Sequence, residues 1–148
     1  RADCVMAICT IDPDRYLEHL PRMLRMIKQP DGYVDRRMRL IDFVGQRGTL
    51  STPAVVPFEI LLRNKKDRLR VALAVALMRI DSTRSQRAVA AVKEWANGNF
   101  RLSVHSSSFK GLGDAGRPLE PILTQVANDP EHLLQRRAQM LLRYMHKK

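Results

Sequence analysis

The sequence predicts an all-helical protein built from stacked helical hairpins. Apolar residues recur at the helical spacing of three or four in successive segments, and several of these segments align with one another. In addition, ten of the fourteen residues in 68–81 are apolar, which leaves that helix almost no polar face. A helix in the middle of a stack contacts its own partner and both neighbouring hairpins, and it therefore needs apolar side chains on most sides.

Four segments predict the second helix of a hairpin, and they share one register. They are 1–12, 37–47, 70–81 and 137–147, and each begins with an arginine, namely Arg1, Arg37, Arg70 and Arg137. In this alignment Leu73 corresponds to Cys4, Leu40 and Met140, and Leu77 corresponds to Ile8, Val44 and Tyr144. The recurrence predicts one helical hairpin for every 32 to 36 residues.

The first helices of the hairpins are marked by proline. Pro57 follows Pro21 by 36 residues, and Pro121 follows Pro57 by 64, which is two steps of 32. Because the first turn of a helix does not need the missing N–H, we expect these prolines near helix starts. The segment 83–98 has the helical spacing without a proline and fills the skipped step. An acid follows each proline-marked helix: Asp31, Asp67 and Asp129.

Proline in the first helix, aspartate in the turn and arginine early in the second helix resemble the HEAT-repeat family, in particular its short bacterial HEAT-like version. The resemblance implies one domain over 1–148, a right-handed α-solenoid of about four hairpins. It also implies a ladder of hydrogen bonds in which Asp31, Asp67 and Asp129 pair with Arg37, Arg70 and Arg137. A helical bundle around a single centre is the alternative fold.

Two segments depart from the repeat. The segment 98–117 is rich in serine and glycine and predicts either a degenerate repeat or a functional loop, in which Val104, Phe109 and Leu112 can still dock on the stack. The segment 1–12 is a second helix without its first helix. Together with a start at Arg1, this predicts a piece of a longer parent chain with neighbouring domains.

The composition indicates the charge of a binding partner, but it does not indicate the biochemical function. The formal net charge is +11, from 26 basic and 15 acidic residues, which favours an acidic protein, phosphates or an anionic membrane surface. Apolar runs stay shorter than the roughly 18 residues of a membrane span, and the start lacks the zones of a signal peptide. Cys4 and Cys9 predict reduced core residues and a cytoplasmic location.

Motifs for chemistry are weak. His105 lies beside Ser106, Ser107 and Ser108, but adjacent residues do not make a triad and the sequence identifies no third group. The other histidines lack metal-ligand spacing, so we predict no metal and no cofactor. The HEAT-like family includes DNA glycosylases and bilin lyases, yet this chain has few aromatic side chains to stack on a base, and Trp95 is expected to pack between helices.

The most consistently polar positions of the second helices predict a shallow binding track on the concave face. They are the positions of Ala72 and Arg79, occupied elsewhere by Asp3, Thr10, Arg39, Gln46, Gln139 and His146, with Arg143 nearby. The predicted binding residues are therefore Arg39, Gln46, Arg79, Gln139, Arg143 and His146. The alternative is an ordinary solvated face.

The leading functional hypothesis is a non-catalytic scaffold that presents a basic surface to an acidic protein or peptide. A nucleic-acid-binding protein, with a fold like that of the DNA glycosylases, is the alternative, and its affinity would fall steeply with salt. The basic residues are spread over both sets of helices without interleaved aromatics, which weakens that alternative. An enzyme is the third hypothesis.

Overall fold

A computed structural model describes residues 2–29, 33–99 and 102–147, and within these residues the chain is all-helical, without strands. The α-helices are α1 (Ala2–Ile11), α2 (Tyr16–Lys28), α3 (Val34–Gln46), α4 (Val55–Leu62), α5 (Arg70–Ile80), α6 (Ser85–Ala96), α7 (Ser106–Phe109), α8 (Glu120–Asn128) and α9 (Gln135–Met145). The predicted helical class is therefore confirmed. No helix among the described residues is both long and apolar enough to cross a membrane.

A short 3-10 helix leads into each of α2, α4, α6 and α8. These leaders are Pro13–Arg15, Gly48–Ala54, Ser82–Arg84 and Gly113–Leu119. Pro57 and Pro121 lie within the first three residues of α4 and α8, where a missing N–H has no helical acceptor. Pro21 instead lies inside α2, because that helix already begins at Tyr16. The repeated unit is thus a 3-10 turn followed by a helix, which the proline spacing alone did not predict.

The helices contact one another in the order of the chain. Helix α2 packs on α3, α4 on α5, and α8 on α9, which gives hairpins. The alternate helices α1, α3, α5, α7 and α9 each contact the next member of that series. Helix α5 is the central member of this series of contacts.

Helix α5 is buried on two opposite faces. Val71, Ala74, Val75 and Met78 belong to a cluster of buried side chains that extends through α6–α9, here the C-terminal cluster. Ala72, Leu73, Ala76, Leu77 and Ile80 belong to a second cluster that extends through α1–α4, here the N-terminal cluster. The apolar character of this helix on nearly all sides follows from its place between the two clusters.

Helix α1 buries only one of these two faces. Its buried residues Ala2, Val5 and Cys9 align with the α5 residues that enter the C-terminal cluster, at the predicted spacing of 69 residues. On the other side Ile8 and Ile11 are 38% and 84% exposed, although the aligned Leu77 and Ile80 are buried. The alignment of 1–12 with 70–81 therefore matches the burial of α1 on one face and not on the other.

The alignment of the last helix is wrong by two residues. Met140 is 39% exposed whereas Leu73, its predicted equivalent, is fully buried. The backbone pattern fixes the correct register, because the Ala138 N–H donates to the Leu134 carbonyl as the Leu73 N–H donates to that of Leu69. Gln135, not Arg137, is thus the counterpart of Arg70. The apolar run at 140–142 allows either register in the sequence, and only packing distinguishes them.

The segment 98–117 docks on the stack, although residues 100 and 101 lie outside the described part of the chain. Val104, Phe109 and Leu112 are buried in the C-terminal cluster, as predicted. Helix α7 contacts both α5 and α9. A four-residue helix therefore takes the place of a full second helix at this step.

Candidate binding surface

A buried ion pair joins Arg37 to Asp67, whereas the resemblance implied that Asp67 pairs with Arg70. The Arg37 guanidinium donates from Nη2 to Oδ2 of Asp67 at 2.7 Å and from Nε to the Ile27 carbonyl at 2.8 Å. The other carboxylate oxygen of Asp67 accepts the Leu69 N–H at 2.9 Å. Arg37 thus ties its own hairpin to the turn of the next one. Asp31, the other predicted ladder acid in this region, lies outside the described residues.

The remaining ladder pairs differ from the prediction. Arg70 donates to Glu94 of α6 at 2.6 Å, because that first helix supplies a glutamate where its turn has no aspartate. Arg137 donates to the Val104 carbonyl at 2.6 Å. The Asp129 side chain instead accepts the Glu131 N–H at 3.0 Å. The shifted register of α9 explains why Arg137 and Asp129 do not pair.

His132 takes the structural position of Asp67. Its Nδ1 accepts the Leu134 N–H at 3.1 Å, and its Nε2 lies 3.0 Å from the Ala96 carbonyl. Acceptance at Nδ1 leaves the proton of the neutral ring on Nε2, which then donates to Ala96. The last turn is therefore stabilised by an imidazole where the earlier turn uses a carboxylate.

The predicted track residues on α3 and α5 have different surroundings. Arg39 forms an exposed ion pair with Asp3 of α1 at 3.1 Å. Gln46 is exposed at the end of α3. Arg79 is half-buried and donates to the carbonyls of Ser108 and Lys110 at 3.1 and 2.6 Å. The guanidinium of Arg79 therefore holds the end of α7.

The predicted track residues on α9 lie toward α8 and the solvent. Gln139 donates to the Ala127 carbonyl at 3.1 Å, and Nε2 of His146 lies 3.4 Å from a Glu120 carboxylate oxygen. Arg143 is exposed. The corrected register places these side chains at positions other than those of Ala72 and Arg79, so a single continuous track remains a prediction.

A polar cluster joins α3, α5 and α7. Asp42 accepts hydrogen bonds from the hydroxyls of Ser107 and Ser108, both at 2.7 Å. Burial raises the pKa of the Asp42 carboxyl, and the two serine hydroxyls, Arg79 and His105 oppose that rise. Burial likewise lowers the pKa of Arg79, and the negative charge of Asp42 opposes this shift.

This cluster holds the serine segment in place. Asp42 is the carboxylate that the sequence could not associate with Ser107 and Ser108, because 65 residues separate it from Ser107. The crevice among Asp42, Gln46, Arg79 and the serines has no room for a water molecule. The observed hydrogen bonds therefore give these polar groups a structural role, which is to hold α7 against α3. We call this set of contacts the Asp42 latch.

An open groove lies where the α2–α3 hairpin meets the turn before α5. We call it the turn groove, and its volume is about 390 Å³. It is lined by Lys28, Val34, Arg37, Leu61, Asn64, Lys66, Asp67, Arg68 and Leu69. Lys28, Lys66 and Arg68 are exposed, whereas Arg37 and Asp67 are buried as a pair. The groove thus has a cationic rim around a neutralised acid.

The rim residues Lys28, Lys66 and Arg68 are not among the binding residues predicted from the sequence. The signal is the stretch 63–70, in which Arg63, Lys65, Lys66, Arg68 and Arg70 accompany the single acid Asp67. A sequence-based search of the second helices alone leaves out the turns. The turn residues become a candidate site only when two hairpins are seen side by side.

A second groove, of about 530 Å³, lies between α6 and α8. Val89, Ile122 and Val126 contribute apolar surface, and Lys93, Asp129 and His132 contribute polar groups.

Within the described residues no group of three or more His, Cys, Asp or Glu side chains is arranged to hold a metal ion. In comparisons with known proteins, no family model matches the chain, and no curated protein or solved structure gives a significant match.

Proposed function

We propose that the chain is a non-catalytic interaction module, a right-handed HEAT-like α-solenoid of about four hairpins that presents a basic surface to an acidic protein segment. The cationic turn groove between two successive hairpins is the observation that carries this proposal. Grooves between adjacent repeats are a natural place for a peptide, because each hairpin contributes one wall. The contacts of helices in chain order support the stacked arrangement.

The charge distribution favours an acidic partner. The net charge of +11 attracts carboxylates over a long range. The three rim cations of the turn groove, Lys28, Lys66 and Arg68, are the local site at which the carboxylates of a partner can bind. The hydroxyls of Ser107 and Ser108 and the carboxylate of Asp42 already form hydrogen bonds with one another. The exposed cations of the turn groove therefore fit a binding role, whereas the Asp42–serine cluster offers little support for a catalytic one.

Nucleic acid is the competing partner, and salt dependence distinguishes the two. A labelled peptide with glutamates around a central leucine, its glutamine counterpart and a DNA duplex can be titrated with the protein and followed by fluorescence anisotropy. We expect the acidic peptide to bind, the glutamine peptide to bind at least roughly tenfold more weakly because the carboxylates are lost, and DNA binding to disappear with a modest increase in salt.

Tight DNA binding that persists as salt is raised would replace the proposed function with the nucleic-acid alternative. Equal affinity for the acidic peptide and its glutamine counterpart would remove the acidic partner from the proposal. Both results concern the intact chain and require no variant.

A further inference from the structure

We infer that the turn groove is the specific docking site for an acidic segment that carries an apolar residue among its carboxylates. This inference rests on the proposed function and deepens it, because it places the partner at the rim cations Lys28, Lys66 and Arg68. It assigns to the groove a ligand of one class, a peptide with aspartate or glutamate beside leucine, isoleucine or valine.

Among the described residues that line the groove, the cations outnumber the acids. Asp67 is the only acid in this described set, and its Oδ2 lies 2.7 Å from the Arg37 guanidinium. Both side chains of this pair are less than one tenth exposed, so the pair is fixed in the wall. Lys28, Lys66 and Arg68 therefore provide three exposed cations, which suit the carboxylates of a ligand.

The floor of the groove explains why the ligand needs an apolar residue. Val34, Leu61 and Leu69 line the groove together with the cations. Val34 and Leu61 are half-buried, which leaves apolar surface for a ligand side chain to cover. Asn64 accepts the Lys66 N–H through Oδ1 at 3.1 Å, so its amide NH₂ is the end that can donate to a ligand carbonyl.

The lining favours a peptide over a nucleic acid. Single strands are held by aromatic side chains on which the bases stack. No aromatic side chain is among the described residues that line the turn groove. Aliphatic side chains beside three cations instead match a short segment of alternating carboxylates and apolar groups.

The chain itself provides a matched counterpart of this groove. The turn before α9 repeats the turn before α5 at a spacing of 65, as the paired hydrogen bonds of Asp67 and His132 show. At that spacing Lys66 corresponds to Glu131, and Arg68 corresponds to Leu133. The second turn therefore lacks the cations of the first, and the double variant Lys66→Glu/Arg68→Leu transplants its residues into the turn groove.

The test compares this double variant with a control of equal charge change, Arg136→Leu/Lys147→Glu, on exposed positions of the last helix and its end. The probe is the labelled peptide with glutamates around a central leucine, titrated by anisotropy. We expect the turn-groove variant to weaken binding by roughly tenfold or more, since two charge-assisted contacts are lost. The control should change it by less than about threefold, as expected for long-range charge alone.

Far-UV circular dichroism and urea unfolding verify that both variants are folded. Equal losses in the two variants would overturn the docking site while leaving an acidic partner in place. Loss in the control alone would overturn the turn groove and move the site to α9. Absence of binding by the unmodified chain would instead refute the proposed function itself, so the two failures are distinguishable.

Discussion

The interior helix α5 and the outer helices α1 and α9 have aligned residues but different surroundings. Helix α5 buries both of its faces, whereas α1 buries only the residues that align with the face of α5 in the C-terminal cluster. Helix α9 buries Ala138, Leu141 and Met145, which align with Leu73, Ala76 and Ile80 on the opposite face. Each outer helix thus buries the residues that align with one of the two buried faces of α5.

The two outer faces differ in chemistry. On α9 the outward positions include Arg136, Gln139 and Arg143, a polar surface of the kind that caps a stack of repeats. On α1 the outward positions include Cys4, Ile8 and Ile11, which are exposed and apolar. The comparison shows that burial, rather than sequence similarity alone, identifies which face of a repeated helix meets a neighbour.

The largest expected effect concerns the buried pair between hairpins. Arg37→Met removes the partner of Asp67 and leaves a buried carboxylate, which should lower the free energy of unfolding by about 3 to 5 kcal/mol. Arg39→Met breaks the exposed pair with Asp3 and should cost at most about 1 kcal/mol. Urea unfolding of the two variants measures the difference, and equal losses would show that Arg37 does not tie the hairpins together.

The next effect compares the same residue type at aligned positions of α5 and α1. Ile80 is 3% exposed and Ile11 is 84% exposed. Ile80→Ala should therefore lower the free energy of unfolding by about 2 to 5 kcal/mol, whereas Ile11→Ala should change it by less than about 0.5 kcal/mol. A comparable loss in both variants would mean that the outer face of α1 is covered in solution.

A smaller effect is expected at Gly45, where α3 lies against Ala76 of α5. A side-chain carbon added at Gly45 would lie 2.8 Å from the Ala76 Cβ and 2.9 Å from its Cα. Gly45→Ala should therefore lower the free energy of unfolding by about 1 to 3 kcal/mol through overpacking. Adding Ala76→Gly relieves only the contact with Cβ, so the double variant should show a favourable coupling energy in a double-mutant cycle. Strict additivity would contradict this close packing.

The smallest effect is the pH dependence of the Asp42 latch. Because folding raises the pKa of Asp42, its contribution to stability is fully present below the unfolded value near 3.8 and is lost as pH rises through the folded value. The stability of Asp42→Asn relative to the unmodified chain should thus increase as pH rises across this range. Asp35→Asn, an exposed change on the same helix, is the control. The same slope in both variants would contradict a raised pKa of Asp42.

Periodicity predicted the helices because it depends on local spacing, and it also predicted the central position of 70–81. It failed at α9, where Met140, Leu141 and Leu142 allow two registers, and only contact with the preceding helix selects one. The ladder prediction was wrong about the partners of Asp67 and Arg70. Asp67 binds Arg37 instead of Arg70, and Arg70 binds Glu94, on a helix without that turn acid.

The candidate site was less predictable than the fold. The turn groove depends on Lys28 and Lys66 lining one groove from two hairpins, and that relation is not encoded in the spacing of either segment. The same applies to Asp42 and Ser107, which belong to α3 and α7. Sequence reasoning identified the helices that provide these residues, but the sites arise from contacts between hairpins.

The central claim is that α5 joins the N-terminal and C-terminal clusters into one cooperative unit. Leu73 lies in the N-terminal cluster, and Trp95, the single tryptophan, lies in the C-terminal cluster. In urea unfolding of Leu73→Ala, Trp95 fluorescence and far-UV circular dichroism should shift to one common, lower midpoint. A Trp95 transition that stays at the midpoint of the unmodified chain, while the circular dichroism separates into two steps, would contradict the claim.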